Sequence, residues 1–267
     1  MKRLKWKWNG GSLVENEPEF IQFLPELDLT DYKPHKNSKH RLEAKRLRPE
    51  HALALQMALK KGSDHIAGYF AWAEKAYTWS TKQTLFWIQA QLKEGLPNEN
   101  FVLFLGKEIV GMGSIRPHGH PRHVQMAYWT SKAYLNQGIG ETIARTMEGV
   151  AFVHRPYQFL YINHDSSNRA SGSIPQKLGY DYAGHFDTAI TADKETGLWL
   201  SWRKESNRYA DYPTEREQDL RFVELWCLMY KEMYPDIYER DYKKSHMEAL
   251  QKLKEIRGRT IDTGDAA

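Results

Sequence analysis

The sequence predicts an α/β fold, a mixed central sheet with helices on its faces and an extension at each end. Short apolar and aromatic stretches typical of strands alternate with longer stretches whose apolar residues recur at helical spacing. The stretch Val124 to Trp129 is such a strand, and Gly138 and Gly140 then precede a stretch with helical spacing. The 267 residues are 41% hydrophobic and 13% aromatic, which is enough for a packed core.

The cysteine count, the net charge and the N-terminal pattern exclude several kinds of site and partner. The single cysteine, Cys227, excludes an intramolecular disulfide and a multi-cysteine metal site, and its apolar surroundings predict a buried hydrophobic side chain. The net charge of +4 suits an anionic cofactor but is too small to require nucleic acid. Residues 1–8 alternate lysine with tryptophan where a signal peptide would be apolar, and no long apolar run follows. We therefore expect a cytoplasmic protein with no membrane segment.

The elements follow in chain order. Residues 1–40 form an N-terminal extension, in which Leu4, Trp6 and Trp8 alternate with lysines and predict an edge strand in preference to a nucleic-acid-binding tip. The predicted core domain, residues 41–204, begins with a strand at 41–48. Pro49 then opens a helix that we expect to end near Gly62.

The remaining core elements rest on turn and cap signals. The pattern Ser80-Thr-Lys-Gln83 is a capping box and starts a second helix after an aromatic loop. Further strands, separated by glycine turns or short helices, are predicted at 101–105, 108–115, 124–129, 159–163, 180–189 and 198–203. A short helix ends at Leu178-Gly179.

Residues 205–267 predict a C-terminal helical hairpin. Thr214-Glu-Arg-Glu217 is a second capping box, and an apolar stripe follows until Pro235. The second helix is expected to stop at Gly258. Packing on the core is the default, while an apolar hairpin added to a complete domain leaves a homodimer open.

Gly138 and Gly140 lie where a strand is followed by a helix. Glycine there allows the backbone to approach a ligand closely, and the first turn of a helix offers free N–H groups and a positive dipole end. A pyrophosphate fits such a site. The alternative for an isolated Gly-x-Gly is a tight turn or a helix cap.

Several motifs together carry a family resemblance over residues 41–204. Ala-Tyr-Trp ends the middle strand, Asn-Gln-Gly-Ile-Gly opens the helix, and Asn168-x-x-Ser171 is followed by Lys177-Leu-Gly-Tyr180. In this order the motifs resemble the GCN5-related N-acetyltransferases (GNAT). The segment with His65-Ile66, Tyr69 and Trp72 is similar to the branch that acetylates N-termini of ribosomal proteins.

The resemblance implies a set of cofactor contacts to acetyl-CoA. The middle strand would lie along the pantetheine, and the turn would bind the pyrophosphate through N–H groups, with Thr142 as a hydroxyl donor and the Glu141 side chain in solvent. The strand residues are Met126, Ala127, Tyr128 and Trp129, and the turn residues are Gln137, Gly138, Ile139, Gly140, Glu141 and Thr142. Leu135 departs from the Arg or Gln of many relatives, so one phosphate contact is missing.

The resemblance also implies the catalytic residues. Many relatives use a helix tyrosine as the acid, but Pro175 occupies that position, and Ser171 matches the serine of the ribosomal-protein branch. We expect Ser171 to donate a hydrogen bond to the departing thiolate and Asn168 to hold the pantetheine or order water. The alternative is that Asn168 only caps the helix and Ser171 faces solvent.

A general base is not evident. Gln125 and Ile190 stand where relatives have acidic residues, and neither accepts a proton. Other side chains that could act through a water are His118, His120, His123, His185 and Asp187. An α-amine with a pKa of about 8 needs little help, which favours an α-amine or a small amine as acceptor. The irregular histidine spacing argues against a metal site.

The predicted function is therefore acetyl transfer from acetyl-CoA to a primary amine, on a protein N-terminus or a small molecule, by direct attack. The alternative is a non-catalytic CoA-binding or partner-binding module on the same fold, suggested by the missing base.

Overall fold

The computed structural model describes residues 42–94 and 98–262. The predicted edge strand near the N-terminus lies outside the described residues. Within the described part, seven strands form one sheet. They are β1 (Leu42–Arg46), β2 (Glu99–Leu105), β3 (Glu108–Pro117), β4 (His123–Thr130), β5 (Phe159–Asp165), β6 (Asp181–Asp187) and β7 (Leu198–Glu205).

Helices connect the strands and continue beyond them. They are α1 (Ala52–Ala67), α2 (Thr81–Lys93), α3 (Ile139–Gly149), α4 (Arg169–Lys177), α5 (Glu215–Met233), α6 (Pro235–Ile237) and α7 (Lys243–Asp262). Both predicted capping boxes are confirmed, because Ser80 and Thr214 each accept from the backbone N–H three residues on. The aromatic segment between α1 and α2 contains a 3₁₀ helix, Ala71–Thr78.

The strand order is β1-β2-β3-β4-β5-β7-β6. All neighbouring strands pair antiparallel except β4 and β5, which are parallel. Short connections between successive strands make β2–β3, β3–β4 and β6–β7 antiparallel, while the crossover through α3 makes β5 parallel to β4. The predicted mixed sheet with helices on its faces is confirmed.

Side-chain alternation along β4 divides the core between the two faces of the sheet. Met126 packs with Ile143 of α3 in one buried cluster, whereas Trp129 packs with Leu55 and Leu59 of α1 in the other. Residues of even number on β4 therefore face α3, and residues of odd number face the α1–α2 side.

The C-terminal helices pack on the α3 side of the sheet. Trp226 and Tyr230 of α5 are 1% exposed and belong to the same cluster as Phe101 and Leu103 of β2. The interpretation that the apolar stripe packs on the core is thus confirmed. Since the stripe is buried within the chain, it is not available as a dimer interface.

Two predicted helix ends are wrong. Helix α1 runs through Gly62 to Ala67, and α7 runs through Gly258 to Asp262. A glycine within a helix costs only about 1 kcal/mol, which tertiary packing readily offsets. At Gly62 the small residue has a packing reason, because an added Cβ would lie 3.3 Å from the backbone nitrogen of Lys132.

Candidate functional site

The two central strands diverge towards their carboxyl ends. Pairing between β4 and β5 runs from His123↔Phe159 to Met126↔Ile162 and ends there, although β4 continues to Thr130 and β5 to Asp165. Beyond this point the facing edge of β4 has no strand neighbour, so its backbone groups are available to an extended ligand. The result is a V-shaped opening whose vertex lies at Met126 and Ile162.

A left-handed turn follows β4 and starts α3 next to this opening. Gly138 has φ 78° and is the N-cap residue, and Asn136 also has a positive φ of 58°. The first helical bond runs from the Thr142 N–H to the Gly138 carbonyl, 2.9 Å, and no side chain caps the helix end. The first turn therefore directs backbone N–H groups and the positive end of the helix dipole outward, as an anion requires.

The side chains of this turn bond within the chain. Gln137 Nε2 donates to the Ala133 carbonyl at 3.1 Å, and the Thr142 hydroxyl donates to the Gly138 carbonyl at 3.0 Å. Glu141 pairs with Arg145 at 2.9 Å, so its side chain lies along the helix surface, 21% exposed. The turn thus presents mainly backbone to a ligand.

Gly140 has a packing function that differs from the conformational function of Gly138. An added Cβ at Gly140 would lie 3.1 Å from Ile174 Cδ1 and 3.4 Å from Thr130 Oγ1. Glycine therefore lets the start of α3 approach both the end of β4 and the side of α4. The two glycines predicted as one motif act in separate ways.

Helix α4 begins on the other side of the opening. Asn168 is its N-cap, and Asn168 Oδ1 accepts the Ser171 N–H at 3.2 Å. The Ser171 hydroxyl is half-buried and lies 3.3 Å from the Tyr128 hydroxyl on β4. Asn168 is thus a helix cap, the alternative role considered for it from the sequence. Ser171 faces β4 across the opening and does not face solvent alone.

Pro175 accounts for part of this contact. It lies inside α4 and has no N–H, so the carbonyl of Ser171, four residues earlier, lacks its helical partner. The Tyr128 hydroxyl lies 3.4 Å from that carbonyl oxygen and can donate to it. Burial raises the pKa of the Tyr128 phenol, and the bond to Ser171 opposes this only in part, so the phenol is protonated at neutral pH. Sequence reasoning assigned only backbone contacts to Tyr128.

Asp165 is a second residue that sequence reasoning missed. Its buried carboxylate accepts from the N–H groups of Ser167, Thr196 and Gly197 at 2.8, 2.8 and 3.1 Å. Although burial alone raises it, these bonds from Ser167 and Thr196 hold the pKa of Asp165 below its usual value. Asp165 therefore ties the β6–β7 loop to the start of α4. The sequence feature that could have identified Asp165 is its position as an acidic residue directly before Ser-Ser-Asn.

The same loop also reaches the segment after α1. The Lys194 N–H donates to the Gly68 carbonyl at 3.1 Å, and the Ser167 hydroxyl donates to the Lys194 carbonyl at 2.6 Å. The α1–α2 segment, the β6–β7 loop and the start of α4 thus meet at one end of the opening. These three segments form one wall of the opening.

The proposed bases lie in two regions, around the amino end of β4 and on the edge strand β6. His118, His120 and His123 lie around the amino end of β4, where burial lowers the pKa of each and brings that of His123 to about 3. His185 lies on β6 and its Nδ1 is 3.1 Å from the Tyr182 hydroxyl. Asp187, at the end of β6, is exposed, as is Ile190 beyond it. His118, His120 and His123 are therefore neutral, but four residues of strand, about 13 Å, separate His123 from Ala127.

Residues 42–94 and 98–262 also contain no metal cluster and no membrane-spanning helix. No group of three metal-ligating side chains there could hold a metal ion. In the same ranges, no helix combines the length and the apolar character that crossing a membrane requires.

Comparison with known proteins identifies the family. Residues 41–181 match the model of a family described as acetyltransferase (GNAT) domain. No protein of curated function matches the chain in sequence.

Solved structures show the same fold. A ribosomal L7/L12 alpha-N-protein acetyltransferase, RimL, in complex with coenzyme A is 15% identical with a TM-score of 0.57, over 66% of this chain and 99% of that chain. Mycobacterium smegmatis RimJ in complex with CoA-disulfide is 17% identical with a TM-score of 0.56, over 72% and 92%. The microcin C7 self immunity acetyltransferase MccE is 14% identical with a TM-score of 0.54, over 61% and 92%. The family match spans more than half of the sequence, and the chain therefore belongs to the acetyltransferase (GNAT) family, the acyl-CoA-dependent N-acetyltransferases that use acetyl-CoA as co-substrate.

Proposed function

We propose that this protein transfers the acetyl group of acetyl-CoA directly to a primary amine, on a protein N-terminus or a small molecule, at the V-shaped opening between β4 and β5. The observation that carries the proposal is the combination of an unpaired strand edge beyond Met126 with an uncapped helix start at Gly138. An extended pantetheine arm fits the first, and a pyrophosphate fits the second. Both lie at the same end of β4.

The proposed cofactor contacts follow from this placement. The pantetheine lies along β4 and bonds to its backbone, and the pyrophosphate accepts from N–H groups at the start of α3. The strand contributes Met126, Ala127, Tyr128 and Trp129, and the turn contributes Gln137, Gly138, Ile139, Gly140, Glu141 and Thr142. Asn168 acts by fixing the start of α4, since its Oδ1 accepts the Ser171 N–H.

Ser171 and Tyr128 serve the leaving group. When the amine nitrogen attacks the thioester carbonyl, the C–S bond breaks and negative charge forms on sulfur. A hydroxyl at Ser171 stabilises that charge by donating a hydrogen bond. The Tyr128 phenol lies 3.3 Å from Ser171 Oγ and stays protonated, so it orients the serine hydroxyl and supports its polarisation.

The structural neighbours bear on the acceptor. They include a ribosomal L7/L12 alpha-N-protein acetyltransferase and a microcin C7 self immunity acetyltransferase in complex with acetyl-CoA and AMP, which supports an amine of a protein or of a small molecule as acceptor. The proposal places the reaction in the cytoplasm, in line with the single cysteine, and requires neither nucleic acid nor a dimer.

Thiol release tests the proposed function. Purified protein with acetyl-CoA and a panel of peptide N-termini and small amines should release free CoA thiol and give an acetylated amine by mass spectrometry. Binding of acetyl-CoA without transfer to any amine would favour the alternative of a non-catalytic CoA-binding module. Gln125 and Ile190, which cannot act as bases, motivate that alternative.

Ser171→Ala tests the leaving-group contact. We expect kcat to fall roughly tenfold to a hundredfold with little change in the KM for acetyl-CoA, because the hydrogen bond strengthens only as charge forms on sulfur. Tyr128→Phe should give a smaller decrease, since it acts through Ser171. Steady-state thiol release measures both. A fully active Ser171→Ala enzyme beside an inactive His185→Ala enzyme would mean that the proton follows another route.

A further inference from the structure

Asn163 on β5 lies at the vertex of the V-shaped opening. It is the first residue of β5 beyond the last pair with β4, Met126↔Ile162. By alternation with the buried Ile162, its side chain points to the face opposite α3, the same face as Gln125. The contact confirms this, because Asn163 Nδ2 donates to Gln125 Oε1 at 3.0 Å across the two strands. The Asn163 amide is therefore held through its Nδ2 group.

The other end of this amide has no partner. Asn163 Oδ1 is buried and accepts no hydrogen bond from any described residue. A buried carbonyl oxygen without a donor costs free energy, and native proteins leave few of them. Gln125, which fixes the amide, lies beside the ring of His118. A short chain of side chains thus orients one vacant acceptor at the vertex.

The other polar groups near the vertex are either already hydrogen-bonded or neutral. The carboxylate next along β5, Asp165, already accepts three backbone N–H groups. His118, which lies behind Gln125, and His123 both have pKa values lowered by burial and are neutral. Among the described residues at the vertex, Asn163 Oδ1 is thus an acceptor that no other group uses.

We propose that Asn163 Oδ1 accepts a hydrogen bond from the attacking amine and so positions the acceptor nitrogen for acetyl transfer. The inference rests on the proposed function and specifies its substrate class. The amine approaches from the α1–α2 face, where Asn163 and Gln125 point, while the cofactor turn and Ser171 lie on the α3 and α4 side. The thioester at the vertex lies between them.

This contact determines which amines react. An amide oxygen accepts a hydrogen bond but takes no proton at neutral pH, so the amine must arrive uncharged. Its nitrogen forms the new C–N bond, the C–S bond breaks, and the surplus N–H proton passes to water or to the thiolate. At pH 7 about 9% of an α-amine with pKa 8 is neutral, against about 0.04% of a lysine amine with pKa 10.4. The substrate class is therefore amines of low pKa, above all α-amines.

A pH series with wild-type enzyme tests the substrate class. The probes are an α-amino amide and an ε-amine of similar size. We expect kcat/KM for each to rise with pH and level off near the pKa of that amine itself, with the α-amine faster by roughly two hundredfold at pH 7. A common midpoint for both amines would reveal an enzyme base and overturn the inference.

Variants at Asn163 test the residue. Asn163→Leu should lower kcat/KM for the α-amine roughly tenfold to a hundredfold while the Kd for acetyl-CoA, measured by calorimetry, is unchanged. The isosteric Asn163→Asp should retain activity and move the midpoint of the pH profile below that of the wild type, because a carboxylate can take the proton. Asn207→Leu, at an exposed asparagine after β7, is the control and should retain the wild-type rate.

The outcomes separate the two proposals. If wild-type enzyme acetylates no amine, the proposed function fails and this inference falls with it. An active wild type beside an Asn163→Leu enzyme of equal kcat/KM overturns the inference alone. Should leucine prevent folding, as seen in the melting curve, the Asn163→Asp profile decides, and a midpoint equal to that of the wild type contradicts the role of Asn163.

Discussion

Replacing Gly138 with valine is expected to abolish measurable acetyl-CoA binding while the protein remains folded. Gly138 has φ 78°, which a β-branched residue adopts only with strain, and its Cβ position faces open space where the pyrophosphate is proposed to lie. The side chain would hold the phosphates away from the helix start. Loss of two charge-assisted hydrogen bonds corresponds to about 3–6 kcal/mol, or at least roughly a hundredfold in Kd.

Gly106 offers a matched control for this experiment. It has φ 62° at the β2–β3 turn, and an added Cβ there also meets nothing within 4 Å. Gly106→Val therefore introduces comparable backbone strain away from the opening and should leave acetyl-CoA affinity unchanged. Calorimetric titration of both variants, with melting curves, makes the comparison. Equal affinity of Gly138→Val and wild type would show that the turn does not hold phosphate.

Replacing Glu99 with alanine is expected to destabilise the fold by about 3–5 kcal/mol. Glu99, at the start of β2, is fully buried and pairs with Arg155, 2.9 Å away and 1% exposed, and with Arg46 of β1. Without the carboxylate two guanidinium groups remain close together in the core with no counter-charge. The free energy of unfolding from urea titration measures the effect. The exposed pair of Glu43 and Lys45 is the control, because Glu43→Ala should change stability little.

The same carboxylate predicts the direction of a pH effect. Burial alone raises the pKa of Glu99, but the charges of Arg155 and Arg46 hold it below its usual value. A group with a lowered folded pKa contributes its stability above the unfolded pKa, about 4.3, and loses it as the pH falls through the folded value. The wild type should therefore lose stability below about pH 4, and Glu99→Ala should lose less over the same range. Parallel curves would contradict this account.

Local signals in the sequence were sufficient for most of the fold. The capping boxes at Ser80 and Thr214 and the hairpin turn at Gly106 depend on residues within a few positions, and each is confirmed. Glycine was the less reliable signal, because Gly62 and Gly258 lie inside helices. A glycine ends a helix only when the next residues cannot continue it, and tertiary packing decides that.

The sequence by itself determined the order of elements, the family resemblance and the glycine turn before α3, since these depend on neighbouring residues. Only the tertiary structure decided which side chains meet. Tyr128 and Ser171 are 43 positions apart, and Asn163 and Gln125 are 38 apart. The register of β4 against β5 brings Asn163 to Gln125, and the packing of α4 brings Ser171 to Tyr128. Periodicity indicates which face a residue occupies, but the partner across a strand pair depends on the register, which long-range packing sets.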